Sequence, residues 1–483
     1  MGGTKDEYFQ HGGLKMEVNY KFTDDEEYDD DGKPKRTGSV WTASAHIITA
    51  IIGSGVLSLA WATAQLGWLG GIATLVIFSG ITLFTSNLLA DCYRSPDSVT
   101  GKRNYTLMEE VQANLGRSKC IACGIVQYAN LIGFLIGYTI TTSMSMVAIH
   151  KSNCFHREGH DAACKYSSNP YMIGLGIFEI LLSQIPSFHK LTWLSTVAAI
   201  MSFAYSSIGI GLSLSTILSG KGGRTTLTGV VVGIDVSPSD KIWTMFRALG
   251  DIAFAYSFSQ VLVEIQDTLK SEPAENKVMK KANTIAVATT TGFYMMCGCL
   301  GYAAFGNSAP GNMLTGFGFY EPFWLVDLAN VFIVIHLLGA YQVLAQPVYS
   351  KLETLAQEKW PDSKFVKTEY AIKLGSKTAL SVNQLRLTGR TLIVISVTTL
   401  AMAMPFFNDI LALLGSIGFW PLTVYIPVEM YIAQKNIKRR STKWFMLQLL
   451  SMVCFLVSLA AACGSIQGVG QSLGTAKPFH YKV

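Results

Sequence analysis

Eleven apolar segments, each long enough to cross a membrane as a helix, constrain this chain more than any other feature of its sequence. Crossing about 30 Å of hydrocarbon takes about 20 mostly apolar residues, and an α-helix satisfies its own backbone N–H and C=O groups there. The sequence therefore predicts an all-α integral membrane protein. We number the segments span 1 to span 11; they cover residues 39–66, 69–93, 119–150, 170–187, 191–219, 241–268, 284–306, 322–350, 388–406, 408–433 and 444–468.

The charge content agrees with a membrane protein and argues against a large soluble enzyme. Charged residues make up 14% of the chain, against about 25% in an ordinary soluble domain. The net charge of +6 is spread over many short connections, whereas a nucleic-acid-binding surface gathers its basic residues on one face. No nucleophile–base pair, HExxH or P-loop pattern indicates an enzyme, and no spaced Cys/His pattern indicates a metal site or other cofactor.

The distribution of lysine and arginine predicts the orientation of the spans. With the N-terminus in the cytosol, 29 of the 38 basic residues fall on the cytosolic side, as the positive-inside rule requires. The C-terminal tail, 469–483, is then extracellular. Residues 1–38 are polar and acidic and lack the apolar stretch of a signal peptide, so we expect a disordered cytosolic tail.

One connection carries two cysteines. Cys154 and Cys164 lie in the external loop 151–169, where oxidation is permitted. We therefore expect a disulfide between them.

Span 1 contains the run Gly53-Ser54-Gly55 at mid-membrane depth. Two glycines around a serine weaken a helix, and unwound backbone is tolerated in a membrane only where it lines a cavity or is buried in protein. A break here would offer N–H groups to a carboxylate and C=O groups to a cation, which suits a zwitterion. The alternative is a small-residue patch for close helix packing.

Span 6 holds a carboxylate at mid-depth, Asp251, followed by a small and aromatic run in which a break near 253–257 is plausible. Ionisable groups in a membrane are costly and usually functional, so Asp251 is a candidate proton site; the alternative is an i, i+4 ion pair with Arg247. His46 in span 1 and His336 in span 8 are further proton-coupling candidates, since imidazole titrates near neutral pH. Hydrogen-bonded packing histidines are an equally good interpretation.

Other polar residues give weaker hypotheses. Glu264 and Asp267, at the cytosolic end of span 6, are gate candidates, although solvated helix-end charges explain them equally well. Asn130 in span 3 is a candidate for the cavity wall, and Gln342 in span 8 is expected to hold helices together. Glu179 in span 4 has no evident partner.

Several stretches resemble the plant amino acid permeases of the amino acid/auxin permease family, and the similarity covers nearly all of residues 35–480. The resemblance implies a leucine-transporter-type fold of two inverted repeats, about 39–219 and 241–433, with spans 1 and 6 broken and span 11 outside them. The matching motifs are Ser44–Ala50, Gly53–Ala62, Gln65–Trp68, Ala90–Pro96, Gly250–Tyr256, Glu264–Thr268, Cys297–Cys299, Gly301–Gly306 and Phe419–Tyr425.

The resemblance also implies proton-coupled symport of amino acids across the plasma membrane. Carried over, the substrate site comprises Ala50, Gly53, Ser54, Gly55, Asn130, Ala253, Phe254, Ala255 and Tyr256. Partners would be the amino acid, the coupling proton and membrane lipid. A sodium-coupled or facilitative carrier on the same fold, and an amino acid sensor that transports nothing, remain alternatives.

Overall fold

The computed structural model describes residues 28–33, 35–184, 192–318, 322–374, 377–404, 406–475 and residue 479. Within these ranges the chain is almost entirely helical, with two short antiparallel hairpins, β1–β2 and β3–β4. The strands are β1 (Arg94–Ser95), β2 (Lys102–Arg103), β3 (Glu369–Leu374) and β4 (Lys377–Asn383). The helices are α1 (Val40–Ile51), α2 (Leu59–Cys92), α3 (Leu107–Leu115), α4 (Arg117–Glu158), α5 (Asn169–Ser183), α6 (Thr192–Leu218), α7 (Pro238–Ala255), α8 (Leu262–Gln266), α9 (Glu275–Phe305), α10 (Met313–Gly316), α11 (Phe323–Lys359), α12 (Lys364–Lys367), α13 (Gln384–Ala403), α14 (Phe407–Gly418), α15 (Ile426–Gln434) and α16 (Thr442–Thr475).

The eleven spans correspond to these helices. Among the described residues, nine helical stretches are long and apolar enough to cross a membrane, and two shorter apolar helices, α1 and α5, complete the set. One of the nine joins the end of span 1 to span 2, and the backbone leaves the helical conformation between them at Gly67 (φ 74°). Glycine is suited to this position because side chains rarely adopt a positive φ.

Spans 1 and 6 lie in the middle of the bundle. The first half of span 1 packs on spans 5 and 7, and α7 packs on spans 2, 10 and 11. The breaks in spans 1 and 6 are therefore surrounded by protein, as unwound backbone at membrane depth requires.

Span 3 is longer than expected. Its helix, α4, continues to Glu158, so the first half of the expected external loop 151–169 is helical. Residues 151–158 contain no glycine or proline, and the helix ends at Gly159, whose φ is 85°. His156 and Arg157 lie in the last turn, where positive charge favours the helix dipole.

The acidic segment before span 1 is folded, contrary to the expectation of disorder over 1–38. Asp29 and Asp31 both pair with Arg36 (3.0 and 2.8 Å), and Asp30 pairs with Arg94 and Arg103 in the connection between spans 2 and 3. The ion pairs attach residues 28–33 and 35–38 to the end of span 6 and to the connection between spans 2 and 3. The prediction for residues 1–27 lies outside the described residues.

Candidate functional site

Span 1 is broken where the sequence predicts it. The helix α1 ends at Ile51, Gly53 has a non-helical backbone (φ −110°, ψ −143°), and the chain resumes as a 3-10 helix over Ser54–Ser58. Span 6 leaves the helix after Ala255 and resumes as a 3-10 turn at Ser259. Sequence reasoning placed this second break correctly to within a few residues.

The two breaks touch each other. A Cβ on Gly55 would lie 3.1 Å from Ala255 Cα and 3.1 Å from Phe254 Cδ1. A side chain at position 55 would have to displace these atoms by a few tenths of an ångström, so the close approach favours glycine. Of the expected site residues, Gly53, Ser54, Gly55, Ala253, Phe254, Ala255 and Tyr256 are all buried here.

Two tyrosines from neighbouring spans donate to carbonyl groups of the breaks, and a third lies beside Gly53. The hydroxyl of Tyr205, in span 5, donates to Gly53 O (2.9 Å) and contacts Ile52 O (3.3 Å). The hydroxyl of Tyr294, in span 7, reaches both Ile51 O (2.5 Å) and Ala255 O (3.0 Å). Tyr138, in span 3, lies against Gly53, whose Cβ would be 3.0 Å from the Tyr138 hydroxyl.

The two breaks bring N–H groups, with partial positive charge, and C=O groups, with partial negative charge, together at the centre of the protein. The breaks leave the C-terminal ends of α1 and α7 and the N-terminal end of the 3-10 helix at one place. Helix N-termini attract anionic groups and helix C-termini attract cationic groups. The Ser54 hydroxyl is buried and has no hydrogen-bond partner among the described residues, so it is a further polar group for a ligand.

Asp251 lies one turn before the break in span 6 and is fully buried. Neither carboxyl oxygen has a hydrogen-bond partner in the described part of the chain. The alternative of an ion pair with Arg247 is wrong, because the Arg247 guanidinium instead binds Asp409, at the start of α14, at 2.7 Å. The Arg247 guanidinium is therefore paired with Asp409 and not with Asp251.

The two histidines occupy different surroundings. His336 Nδ1 lies 2.8 Å from Ala198 O of span 5, and its ring packs edge-on against Tyr205 with 5.8 Å between ring centroids. His336 therefore contacts Tyr205, whose hydroxyl donates to Gly53 O at the break of span 1. His46 is buried in α1, on the N-terminal side of that break.

A cavity of about 560 Å³ lies between spans 3 and 8 and the second half of span 6. Glu264 and Asp267 both line it. Asp267 also pairs with Arg36 (2.8 Å) and accepts a hydrogen bond from Tyr93 (2.6 Å). This pair joins the end of span 6 to the segment before span 1, and the gate role of Glu264 and Asp267 stays a prediction.

Four further expectations concern individual residues. Asn130 donates to Leu414 O of span 10 (2.9 Å), so its amide is engaged with a neighbouring span. Ala50 is half-buried in α1, one turn before the break. Gln342 donates to Glu179 Oε2 (2.6 Å), which joins spans 8 and 4 as expected of Gln342 and supplies the partner for Glu179.

The sulfur atoms of Cys154 and Cys164 lie 2.06 Å apart. Cys154 lies near the end of α4, and Cys164 lies in the segment before α5.

Comparison with known proteins identifies the family. A family model described as transmembrane amino acid transporter protein matches residues 36–471. The chain belongs to this family. It is 60% identical to amino acid permease 6 of Arabidopsis thaliana over 454 residues, 94% of each chain. It is 58% identical to amino acid permease 8 of the same plant, over 93% of this chain and 95% of that protein.

The fold of this amino acid transporter family member is also found in a solved structure. It is similar to MhsT in complex with L-phenylalanine, with a TM-score of 0.57 at 10% identity, over 90% of this chain and 100% of that one. The fold is therefore the expected leucine-transporter type.

Several residues of the site in this family member could not be predicted from the sequence. Phe134 stacks on Phe254 with 4.5 Å between ring centroids, and Tyr138, Tyr205 and Tyr294 surround the break. A tyrosine in an apolar span gives no signal of its own, because its hydroxyl identifies a site only once the fold shows which carbonyl it meets. Asp409 had a signal, a carboxylate at the first turn of span 10.

Proposed function

We propose that this protein imports amino acids across the plasma membrane together with protons, by alternating access, with its N-terminus in the cytosol and its C-terminus outside. The names of its relatives support amino acid transport. The half-helix ends at the two breaks supply groups for both the carboxylate and the ammonium of the substrate.

The choice of the proton as coupling ion rests on Asp251. A buried carboxylate without a cation or donor costs several kcal/mol, whereas a protonated carboxyl does not carry that charge. Among the described residues no hydrogen-bond donor serves this side chain, and Arg247 is bound to Asp409. Asp251 therefore becomes the group that takes up and releases the proton one turn from the substrate.

The tyrosines favour the proton over a sodium ion. A sodium site at a broken helix needs several carbonyl oxygens directed at one ion. In this protein the carbonyls of Ile51, Ile52 and Gly53 are directed at the hydroxyls of Tyr205 and Tyr294, and each carbonyl keeps one lone pair for a hydrogen bond from the substrate ammonium. His336, packed against Tyr205, is a second group through which protonation would alter the break, and His46 is a third candidate on the cytosolic side.

Substrate-evoked currents in voltage-clamped cells test the proposal. An inside-negative potential contributes about 2.3 kcal/mol per charge per 100 mV, so a neutral amino acid with a proton should carry inward current that grows as external pH falls. Replacing external sodium at fixed pH should leave the current unchanged. Current that follows sodium and ignores pH would contradict proton coupling, and uptake without current would indicate a facilitative carrier.

A sensor would bind amino acids without moving them. Accumulation of a radiolabelled amino acid inside the cell above its external concentration separates transport from sensing. Binding without accumulation would contradict the proposed function.

We also propose that Cys154 and Cys164 form a disulfide on the extracellular side. Non-reducing peptide mapping should recover the two cysteines in one linked species, because trypsin cuts between them at Arg157. Separate peptides without reductant would contradict the pairing.

A further inference from the structure

We propose that span 11 positions Asp409 for its ion pair with Arg247, and so sets how readily the outer side of the transport path opens. The inference rests on the proposed function for its meaning in transport. Span 11 lies outside the two inverted repeats, yet its helix α16 packs directly on α7 and α14.

The Arg247–Asp409 pair closes the outer side of the breaks. Arg247 lies two turns before the break of span 6, and its guanidinium lies 4.9 Å from the ring centroid of Trp61, in the outer half of span 1. Through Asp409 the pair reaches span 10. Three spans are thus joined on the extracellular side of the proposed substrate.

The helix of span 11, α16, continues beyond residue 468 to Thr475 and holds the second oxygen of the carboxylate. Ser472 Oγ donates to Asp409 Oδ2 at 2.5 Å, while Arg247 binds Oδ1. A hydrogen bond from each side fixes the rotation of the carboxylate, which a single donor leaves free. Hydrogen bonds to charged groups are also the stronger kind.

Two glycines bring span 11 close enough to make this contact. A Cβ on Gly468 would lie 2.5 Å from Asp409 Oδ1 and 2.7 Å from Arg247 Nη1. One turn earlier, a Cβ on Gly464 would lie 2.6 Å from Phe246 Cβ. The surface of span 11 is therefore fitted to the ion pair itself, and Ser472 and Gly468 act as positioning residues.

Hydrogen exchange on the protein purified in nanodiscs, without amino acid, tests the inference independently of transport. Ser472→Ala should raise exchange about tenfold at the outer ends of α7 and α14, since one charged hydrogen bond is lost, and leave the cytosolic ends unchanged. Ser472→Thr keeps the hydroxyl and should restore slow exchange. Ser465→Ala is the control in the same helix, because among the described residues the Ser465 hydroxyl donates to Ala461 O of its own helix and not to Asp409.

A double-variant cycle distinguishes positioning from a general structural effect. If Ser472 acts through Asp409, adding Ser472→Ala to Asp409→Asn changes exchange no further. In uptake assays per surface copy, Ser472→Ala should lower the maximal rate and change KM, whereas a structural lesion lowers only the number of copies. Gly468→Ala, which places a methyl group in the ion pair, should act in the same direction.

Unchanged exchange in Ser472→Ala, or effects that add fully to those of Asp409→Asn, would overturn the inference. These outcomes differ from a failure of the proposed function. Wild-type protein that moves no amino acid while its outer ends still respond to Ser472→Ala would contradict transport and leave the positioning role standing.

Discussion

Replacing Tyr205 with phenylalanine should weaken amino acid binding by removing a single oxygen atom. The Tyr205 hydroxyl contacts the Ile52 and Gly53 carbonyls at the break of span 1, and its side chain is 1% exposed. Phenylalanine keeps the ring and its packing. The variant therefore removes only the donor that holds the break open.

The size of the effect follows from the burial of the carbonyls. Leaving a buried acceptor without its donor costs about 1–3 kcal/mol. Since about 1.4 kcal/mol corresponds to a factor of ten, the apparent KM for external amino acid should rise about 5- to 150-fold. The maximal rate per surface copy should change less, because the proton site at Asp251 is intact.

Tyr341→Phe is the matched control. Tyr341 is 2% exposed, and its hydroxyl has no hydrogen-bond partner among the described residues. Both variants lose one buried oxygen, but only Tyr205→Phe leaves carbonyls without a donor. Radiolabelled uptake over a concentration series, normalised to surface protein, should show a raised KM for Tyr205→Phe alone. Equal KM values in the two variants would refute the role assigned to the tyrosine.

Three further changes should have specific effects. Asp251→Asn should abolish the pH dependence of uptake and accumulation against a gradient while substrate still binds; retained pH dependence would exclude Asp251 as the proton site. Gly55→Ala should cut uptake more than tenfold, because its Cβ meets the break of span 6 at 3.1 Å, whereas Gly80→Ala, which meets nothing within 4 Å, should transport normally. Burial raises the pKa of Asp29, but hydrogen bonds from Arg36 outweigh this effect, and the pKa lies below the ordinary value. The attachment of the segment before span 1 is therefore complete above about pH 4 and is lost only as the pH falls through the lowered pKa. Protease cleavage of this segment should be equally slow at pH 5 and pH 8, and it should be faster in Arg36→Ala.

The general fold could be predicted from the sequence because its main determinant is local. Length and apolarity identify a membrane span without knowledge of its neighbours, and the glycines at 53 and 55 mark a weak point in one helix. The polar residues after position 150 predict an end of span 3 that is too early, because polarity marks the limit of an apolar segment and not of a helix. The helix α4 continues through these polar residues to Glu158 and ends at Gly159.

The site could be predicted only in part because its remaining contacts join distant parts of the chain. The pairing of Arg247 with Asp409, 162 residues away, competes with the local i, i+4 pair that the sequence suggests. The same holds for Tyr294, whose hydroxyl meets carbonyls from two spans. The acidic segment 29–31 looks disordered by composition, yet Arg36, Arg94 and Arg103 neutralise it.

Proton movement measured in vesicles tests the coupling most directly. Purified protein would be reconstituted into sodium-free liposomes that contain a pH-sensitive dye, with an inside-negative potassium diffusion potential. Adding a transported amino acid outside should acidify the lumen, and vesicles with Asp251→Asn protein should show no acidification. Accumulation of amino acid in these vesicles without any change of lumenal pH would contradict proton coupling.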